Sequence, residues 1–206
     1  MSRILHISCS PRAGRSFSTR VADEFMKTYR EAHPADTAAS LDLFTAAIPE
    51  FAGPEASAKY AVMAGQEPRD EAARSWVPVI ETISHFKTFD KYVLSTAMWN
   101  FGIPYRLKQY IDVLVQPGLT FSYSPKTGYT GLVTRKKAVL VLARGGDFSA
   151  PGAASLDHQR SYLQQILGFI GISDVQTLTI EPTIGDQAES VTSAAIAQAR
   201  TMAASF

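Results

Sequence analysis

The chain has 206 residues, 46% of them hydrophobic and 19% charged, with a formal net charge of +1 and one cysteine. This supports one domain over residues 1–206 with a sizeable core, argues against disorder, and supplies no field that would attract nucleic acid or an anionic membrane. The lone Cys9 excludes an internal disulfide, and the apolar run Ile4–Ile7 is too short for a signal peptide or a membrane span, so a cytoplasmic protein is expected.

Ile4–Ile7 reads as a buried strand. A polar loop follows, Ser8-Cys9-Ser10-Pro11-Arg12-Ala13-Gly14-Arg15-Ser16-Phe17-Ser18, and then a helix with Val21, Ala22, Phe25, Met26 and Tyr29 on its buried face. Strand, polar loop and helix start suit a phosphate, because helix-start N–H groups and the helix dipole favour an anion and nearby hydroxyls add donors. Neither GxGxxG nor GxxxxGK[ST] is present, so this is not a dinucleotide fingerprint or a Walker loop. A serine-rich turn with a plain helix cap explains the same residues about as well.

Ala38–Phe44 reads as a second strand. Ala56–Ala64 reads as a short helix, Gly65–Pro68 as a break, and Glu71–Phe86 as a longer helix burying Trp76, Val79, Ile80, Ile83 and Phe86. Tyr92-Val93-Leu94 is a third strand, followed by Met98-Trp99-Asn100-Phe101-Gly102-Ile103-Pro104. Pro104 suits the first position of a helix. Leu107, Tyr110, Ile111 and Leu114 recur at helical spacing beyond it. Met98–Gly102 is thus a tight turn at the carboxyl end of a strand, where open parallel sheets bind ligands.

Phe121 and Tyr123 precede a loop punctuated by Gly128 and Gly131. Ala138–Leu142 is a strand between a solvated Lys136-Lys137 and Arg144-Gly145-Gly146. Asp157-His158 reads as a surface pair, with a place near the mouth of the site as the alternative. Tyr162–Ile170 is a helix ending at Gly171 in a left-handed cap, Val175–Ile180 a strand, and Ser193–Ala204 a helix. Strands alternating with helices imply an α/β protein with a five-stranded parallel sheet and helices on both faces. In such a sheet the loops Ser10–Ser18, Met98–Phe101 and Ala143–Gly146 converge. One suits a phosphate and the others a flat heterocycle, a combination that describes flavin mononucleotide, FMN.

Four segments together, by their order and spacing, resemble the FMN-dependent NADH-azoreductase family of flavodoxin-like quinone reductases. They are Met98–Pro104 with Leu107–Asp112, Gly118–Tyr123, Arg144-Gly145-Gly146, and Leu167–Gly171. The resemblance implies a three-layer flavodoxin-like fold with strand order 2-1-3-4-5. Ser10, Ser16, Phe17 and Ser18 would hold the phosphate of a tightly bound FMN, one per subunit. Met98, Trp99, Asn100 and Phe101 would line its ring, and Ala143, Arg144, Gly145 and Gly146 would meet the pyrimidine end. Phe121, Tyr123 and Phe169 would surround the substrate, partly from the other subunit of a homodimer. Ala97 and Ala143 depart from the proline and serine usual in the family.

The implied activity takes hydride from NADH or NADPH and passes two electrons, in ping-pong fashion, to a quinone or azo compound. No side chain need act as an obligatory acid or base. A flavodoxin-type one-electron carrier and a cofactor-free interaction domain are the alternatives, although +1 supplies no acidic docking surface. The four histidines show no HxxxH or HExxH pairing and no GxSxG occurs, which disfavours a metal site and a serine hydrolase. Cys9 is read as a small buried filler.

Overall fold

A computed structural model describes residues 1–206. Five parallel strands form the central sheet: β1 (Arg3–Cys9), β2 (Thr37–Asp42), β3 (Lys91–Ala97), β6 (Lys137–Ala143) and β7 (Asp174–Ile180). They stand in the order β2-β1-β3-β6-β7. Counted within the sheet this is the expected order. In chain numbering it is 2-1-3-6-7, because a hairpin of β4 (Phe121–Ser124) and β5 (Gly128–Gly131) intervenes where the sequence suggested only a loop.

Side chains alternate across the strands, so each face of the sheet buries its own set. Leu5, Ile7, Tyr92, Leu94, Leu140 and Leu142 face α3 (Asp70–Lys87), α4 (Tyr105–Leu114) and α5 (His158–Ile170). The short α2 (Gly53–Met63) joins that layer through Ala58. Ile4, Val93, Val139, Val141 and Leu178 face α1 (Phe17–Ala32) and α6 (Ala188–Ser205). Three layers result, with β1, β3 and β6 buried between the helices and the edge strands β2 and β7 partly exposed.

Local chemistry explains where the elements begin and end. Val21, Ala22, Phe25, Met26 and Tyr29 are the buried face of α1, as their spacing predicts. β2 stops at Asp42, two residues short of expectation, because the Asp42 carboxylate accepts the Phe44 N–H at 2.9 Å and folds the chain away. In α3, Trp76, Val79, Ile83 and Phe86 are buried, but Ile80 stays 40% exposed, since it lies one step past the edge of that stripe. Pro104 sits one position earlier than expected: with ψ 146° it is the N-cap of α4, and its carbonyl accepts from Leu107 and Lys108. α5 begins at His158, a full turn before Tyr162, because Asp157 caps it by accepting the Gln159 and Arg160 N–H groups. It ends at Gly171 with φ 109°. α6 also starts earlier than Ser193, at Ala188. Lys137 is exposed at its strand start, whereas Lys136 pairs with Asp90 at 3.1 Å rather than facing water alone.

His6 shows how tightly the α1 face of the sheet is closed. Its ring is buried and its Nε2 lies 2.9 Å from the Ser95 hydroxyl. Burial, with Arg30 adding to it and Asp42 opposing, lowers its pKa from 6.5 to about 4. The unfolded chain therefore binds the proton first. Stability is fully present above pH 6.5 and falls as pH drops towards 4. His6 accounts for about 3 kcal/mol of that loss. Urea unfolding of the wild type and of His6→Gln across this range should show a shallower pH dependence in the variant. Parallel curves would refute the assignment.

Candidate cofactor and acceptor site

Parallel pairing ends the central strands almost level. Cys9 pairs with Thr96, and Ala97 with Ala143. The residues that follow must turn over the same edge, and the Met98 N–H reaches the Ala143 carbonyl at 2.8 Å, tying two of the turns together. The sequence-predicted loops Ser10–Ser18, Met98–Phe101 and Ala143–Gly146 all begin at this edge.

In the first loop, Ser16 is the N-cap of α1 and its Oγ lies 3.1 Å from that of Ser18. Ser10, Ser16 and Ser18 are buried, and the Arg12 N–H reaches Ser10 Oγ at 3.4 Å. The first-turn amides of Phe17 and Ser18 donate to nothing in the chain. Buried hydroxyls and free amides at a helix start are what a phosphate binds. Arg20 is unavailable to such a ligand, because Glu189 holds its guanidinium through two bonds of 2.9 Å.

The second loop is a two-residue turn. Trp99 and Gly102 exchange both backbone hydrogen bonds, at 3.1 and 2.9 Å, and Asn100 and Phe101 occupy the corners with φ of 48° and 67°. Asn tolerates that region; for a bulky residue such as Phe it is strained by about 1–3 kcal/mol. The strain leaves Phe101 exposed and the Asn100 and Phe101 amides without acceptors. Trp99 packs with Phe44 and Tyr105, centroids 6.1 and 6.2 Å away, while Phe101 meets Phe148 edge-on at 6.3 Å. Phe44, Tyr105 and Phe148 lie outside the recognised segments, and nothing in the sequence brings them here.

In the third loop the Gly145 and Gly146 amides also lack acceptors within the chain. Arg144 differs from expectation. Its side chain is 2% exposed and reaches neither solvent nor the open face of the loop. Nε donates to Gln159 Oε1 at 3.2 Å and Nη1 to Glu181 at 3.4 Å, while Nη2 lies 2.7 Å from Asp157 without the alignment of a hydrogen bond. Asp157 is thus no surface residue but a half-buried helix cap and ion-pair partner. Glu181 also accepts the Phe148 N–H at 3.1 Å, and the His158 N–H reaches the Phe101 carbonyl at 3.1 Å. One buried guanidinium therefore holds the third loop and, through the start of α5, the second.

Phe121, Tyr123 and Phe169 do not join these loops. Helices in a parallel sheet run back against the strands, so α5 starts at the carboxyl edge and Phe169 lies near its other end. From His158 to Phe169 the rise is about 16 Å. Val133 N–H bonds the Ile170 carbonyl at 2.8 Å, and a Cβ on Gly131 would collide with the Gly171 backbone, so the β4–β5 hairpin is docked on this helix end. Phe121 and Phe169 centroids are 4.8 Å apart, and Tyr129, missed in the sequence, lies 5.4 Å from Phe169 and 5.0 Å from Tyr123. These rings line an open groove of about 860 Å³, which α2 completes with Lys59, Val62 and Met63. The predicted residues thus form two groups at opposite ends of the molecule.

Residues 2–203 match the family described as having a flavodoxin-like fold. The chain belongs to that family. It is 45% identical over 214 residues to an FMN-dependent NADH:quinone oxidoreductase of Nitratidesulfovibrio vulgaris Hildenborough, covering all of both chains. It is 44% identical over 188 residues to one of Desulfotalea psychrophila, covering 91% of this chain and 89% of that one. The azoreductase structure from Bacillus anthracis Sterne superposes with a TM-score of 0.91 at 31% identity over all of both chains. An FMN-dependent NADH-azoreductase from the Ames Ancestor strain, solved in complex with FMN, gives 0.88 at 25% identity over 98% of each chain. The resemblance read from the motifs is therefore correct. No helix is long and apolar enough to cross a membrane.

Truncating Arg144 tests the clamp. Arg144→Met leaves Asp157 and Glu181 poorly solvated and unpaired, and should cost about 3–5 kcal/mol in chemical denaturation. Asp157→Asn keeps the helix cap and should cost less. Equal and small losses would show that the guanidinium carries no such load.

Proposed function

We propose that the chain is an FMN-dependent NAD(P)H oxidoreductase that reduces quinones and azo compounds as a homodimer, each subunit one domain over residues 1–206. One observation carries this reading: six loop amides and three buried hydroxyls at one end of the sheet, and an aromatic groove at the other, each half of a site. The relatives, named as reductases, support it over the one-electron carrier.

The donor set fits FMN. Ser10, Ser16 and Ser18, with the amides of Phe17 and Ser18, would hold the phosphate. Met98, Trp99, Asn100 and Phe101 would bound the ring, and Ala143, Arg144, Gly145 and Gly146 would meet its pyrimidine edge through backbone, since the Arg144 side chain is engaged elsewhere. The hydroxyl lost by having Ala143 is therefore not essential to this contact. Bound FMN supplies the redox chemistry, accepting hydride from the nicotinamide and delivering two electrons to the acceptor. The protein binds, orients and covers. An exposed Phe101 offers a flat face, and the Tyr123 ring, 62% exposed in one chain, is free to pack on a second. Twofold symmetry would bring the groove of one subunit over the loops of the other, because a self-complementary interface joins unlike ends twice. A cytoplasmic location is the reading that the single unpaired cysteine supports.

Three measurements test the proposal. Replacing Ser16 and Ser18 with alanine should weaken FMN binding to apoprotein by about 1–3 kcal/mol, the range for bonds to a charged group. Ser16→Ala also removes a helix cap, so Ser18→Ala alone should account for part of the loss. Sedimentation under assay conditions should find a dimer, and a fully active monomer would overturn the shared pocket. If nicotinamide and acceptor use that pocket in turn, double-reciprocal plots at several acceptor concentrations should be parallel; intersecting lines would exclude it.

A further inference from the structure

We propose that Asp157 and Glu181 set bound FMN to a lower reduction potential, because they leave the buried cluster around Arg144 with an excess negative charge behind the third loop. This rests on reading that loop as the pyrimidine end of the cofactor site. Both carboxylates then act as positioning and tuning groups that do not touch the reacting atoms.

Taken alone, the Arg144 guanidinium would favour negative charge on a ligand at this loop. Its surroundings reverse the sign. The Arg144 side chain is 2% exposed, and those of Asp157 and Glu181, at 2.7 and 3.4 Å from it, are 12% and 14% exposed. One cation against two anions leaves one negative charge in excess, in a place where water screens little. Two further charges stand nearby. Arg160 reaches Thr179 Oγ1 at 3.0 Å, and the Asp147 carboxylate accepts the Ser149 N–H at 2.9 Å. Both are exposed, and they are opposite in sign.

The cluster is coupled to the loop over short paths. Arg144 immediately precedes Gly145, and Glu181 accepts the Phe148 N–H at 3.1 Å, two residues after Gly146. FMN that takes up two electrons and one proton gains one negative charge, spread over its pyrimidine end. The Gly145 and Gly146 amides can bond that end in either oxidation state. A fixed charge behind them acts on the difference between the states, and a negative one opposes reduction. The electron pair is then held less tightly than the amides alone would hold it, which suits delivery to an acceptor that is hard to reduce.

The test measures the midpoint potential of the FMN-loaded protein against a reference dye, with the affinity of the apoprotein for oxidised FMN as a second readout. Glu181→Gln keeps an oxygen for the Phe148 N–H and for Arg144 and removes the charge. Asp157→Asn does the same while keeping a helix cap. Each should favour reduced over oxidised FMN by about tenfold, a rise of about 30 mV for a two-electron couple. The double variant should rise further. Arg144→Met removes the buried cation and should shift the potential the other way by a similar factor, whereas Arg144→Lys should stay near the wild type. All shifts should survive added salt, since the groups are buried. A loosened loop would move the potential in one direction whichever residue is changed, so opposite signs mark a charge effect. An unmoved potential in Glu181→Gln, or shifts of one sign in Glu181→Gln and Arg144→Met, overturns the proposal. Should Arg144→Met fail to fold, a double carboxylate variant that rises no further than the single ones overturns it as well. Wild-type apoprotein that binds no FMN would defeat the cofactor reading itself; a flavin-binding protein whose potential ignores both carboxylates would defeat this proposal alone.

Discussion

Parallel register is the constraint from which the rest of this structure follows. Five strands that run the same way must all be left at one edge and entered at the other. Cys9, Thr96, Ala97 and Ala143 stand level at that edge, so three chain segments change direction within a few ångströms of one another. A turning chain loses its ladder partners, and the amides of Phe17, Ser18, Asn100, Phe101, Gly145 and Gly146 are left with none. Unpaired donors are tolerated where water or a ligand can reach them. The edge is therefore prepared for an anionic, hydrogen-bonding ligand before any side chain is considered.

Side chains then fix the loops in place, and Arg144 does most of this. Its bonds to Gln159 and Glu181 and its contact with Asp157 span the start of α5 and the segment after β7. The Thr183 N–H and hydroxyl both reach the Arg144 carbonyl at 2.8 Å, and Ile184 N–H bonds the Gly145 carbonyl at 3.3 Å, so the same segment also grips the backbone. A Cβ on Gly145 would meet only the free end of the exposed Ile184 side chain, at 2.8 Å from Cδ1, so the grip of this segment on the loop is through backbone. Burying three charges costs solvation that an apolar contact would not. What the charged arrangement adds is direction. A guanidinium with three partners permits one loop geometry, whereas a greasy contact permits several.

Much of the fold was legible because it depends on local patterns. The apolar stripe of α1, the continuous apolar strand Ala138–Leu142 and the glycine stop at Gly171 each declare themselves within a few residues. The hairpin was harder, since β4 and β5 have four residues each and Phe121-Ser122-Tyr123-Ser124 alternates for barely two periods. The side-chain partners of Arg144 were illegible for a different reason: they lie 13, 15 and 37 residues further on, at Asp157, Gln159 and Glu181, and no local signal links them. The strain at Phe101 was also invisible. An Asn-Gly pair would have announced the turn, whereas Asn100-Phe101-Gly102 puts the aromatic where glycine is easiest.

That misplaced aromatic bears on how the two halves of the site relate. A phenylalanine at φ 67° is kept there against its own preference, by paired backbone bonds across Trp99 and Gly102 and by the α5 N–H on its carbonyl. At the far end, Tyr123 and Tyr129 stay exposed although Tyr129 already stands 5.4 Å from Phe169. Each end thus presents an aromatic surface that the single chain does not bury. Both are rigidly backed, one by Arg144 and the other by the Gly131–Gly171 contact. An exposed apolar surface that is also held rigid has little to gain by collapsing and much to gain by being covered. Two such surfaces on one chain, one rich in donors and the other without them, are complementary in chemistry as well as in place. In the dimer proposed above, a second copy would cover both, and the space between them would be flat, aromatic and lined with hydrogen-bond donors on one side only.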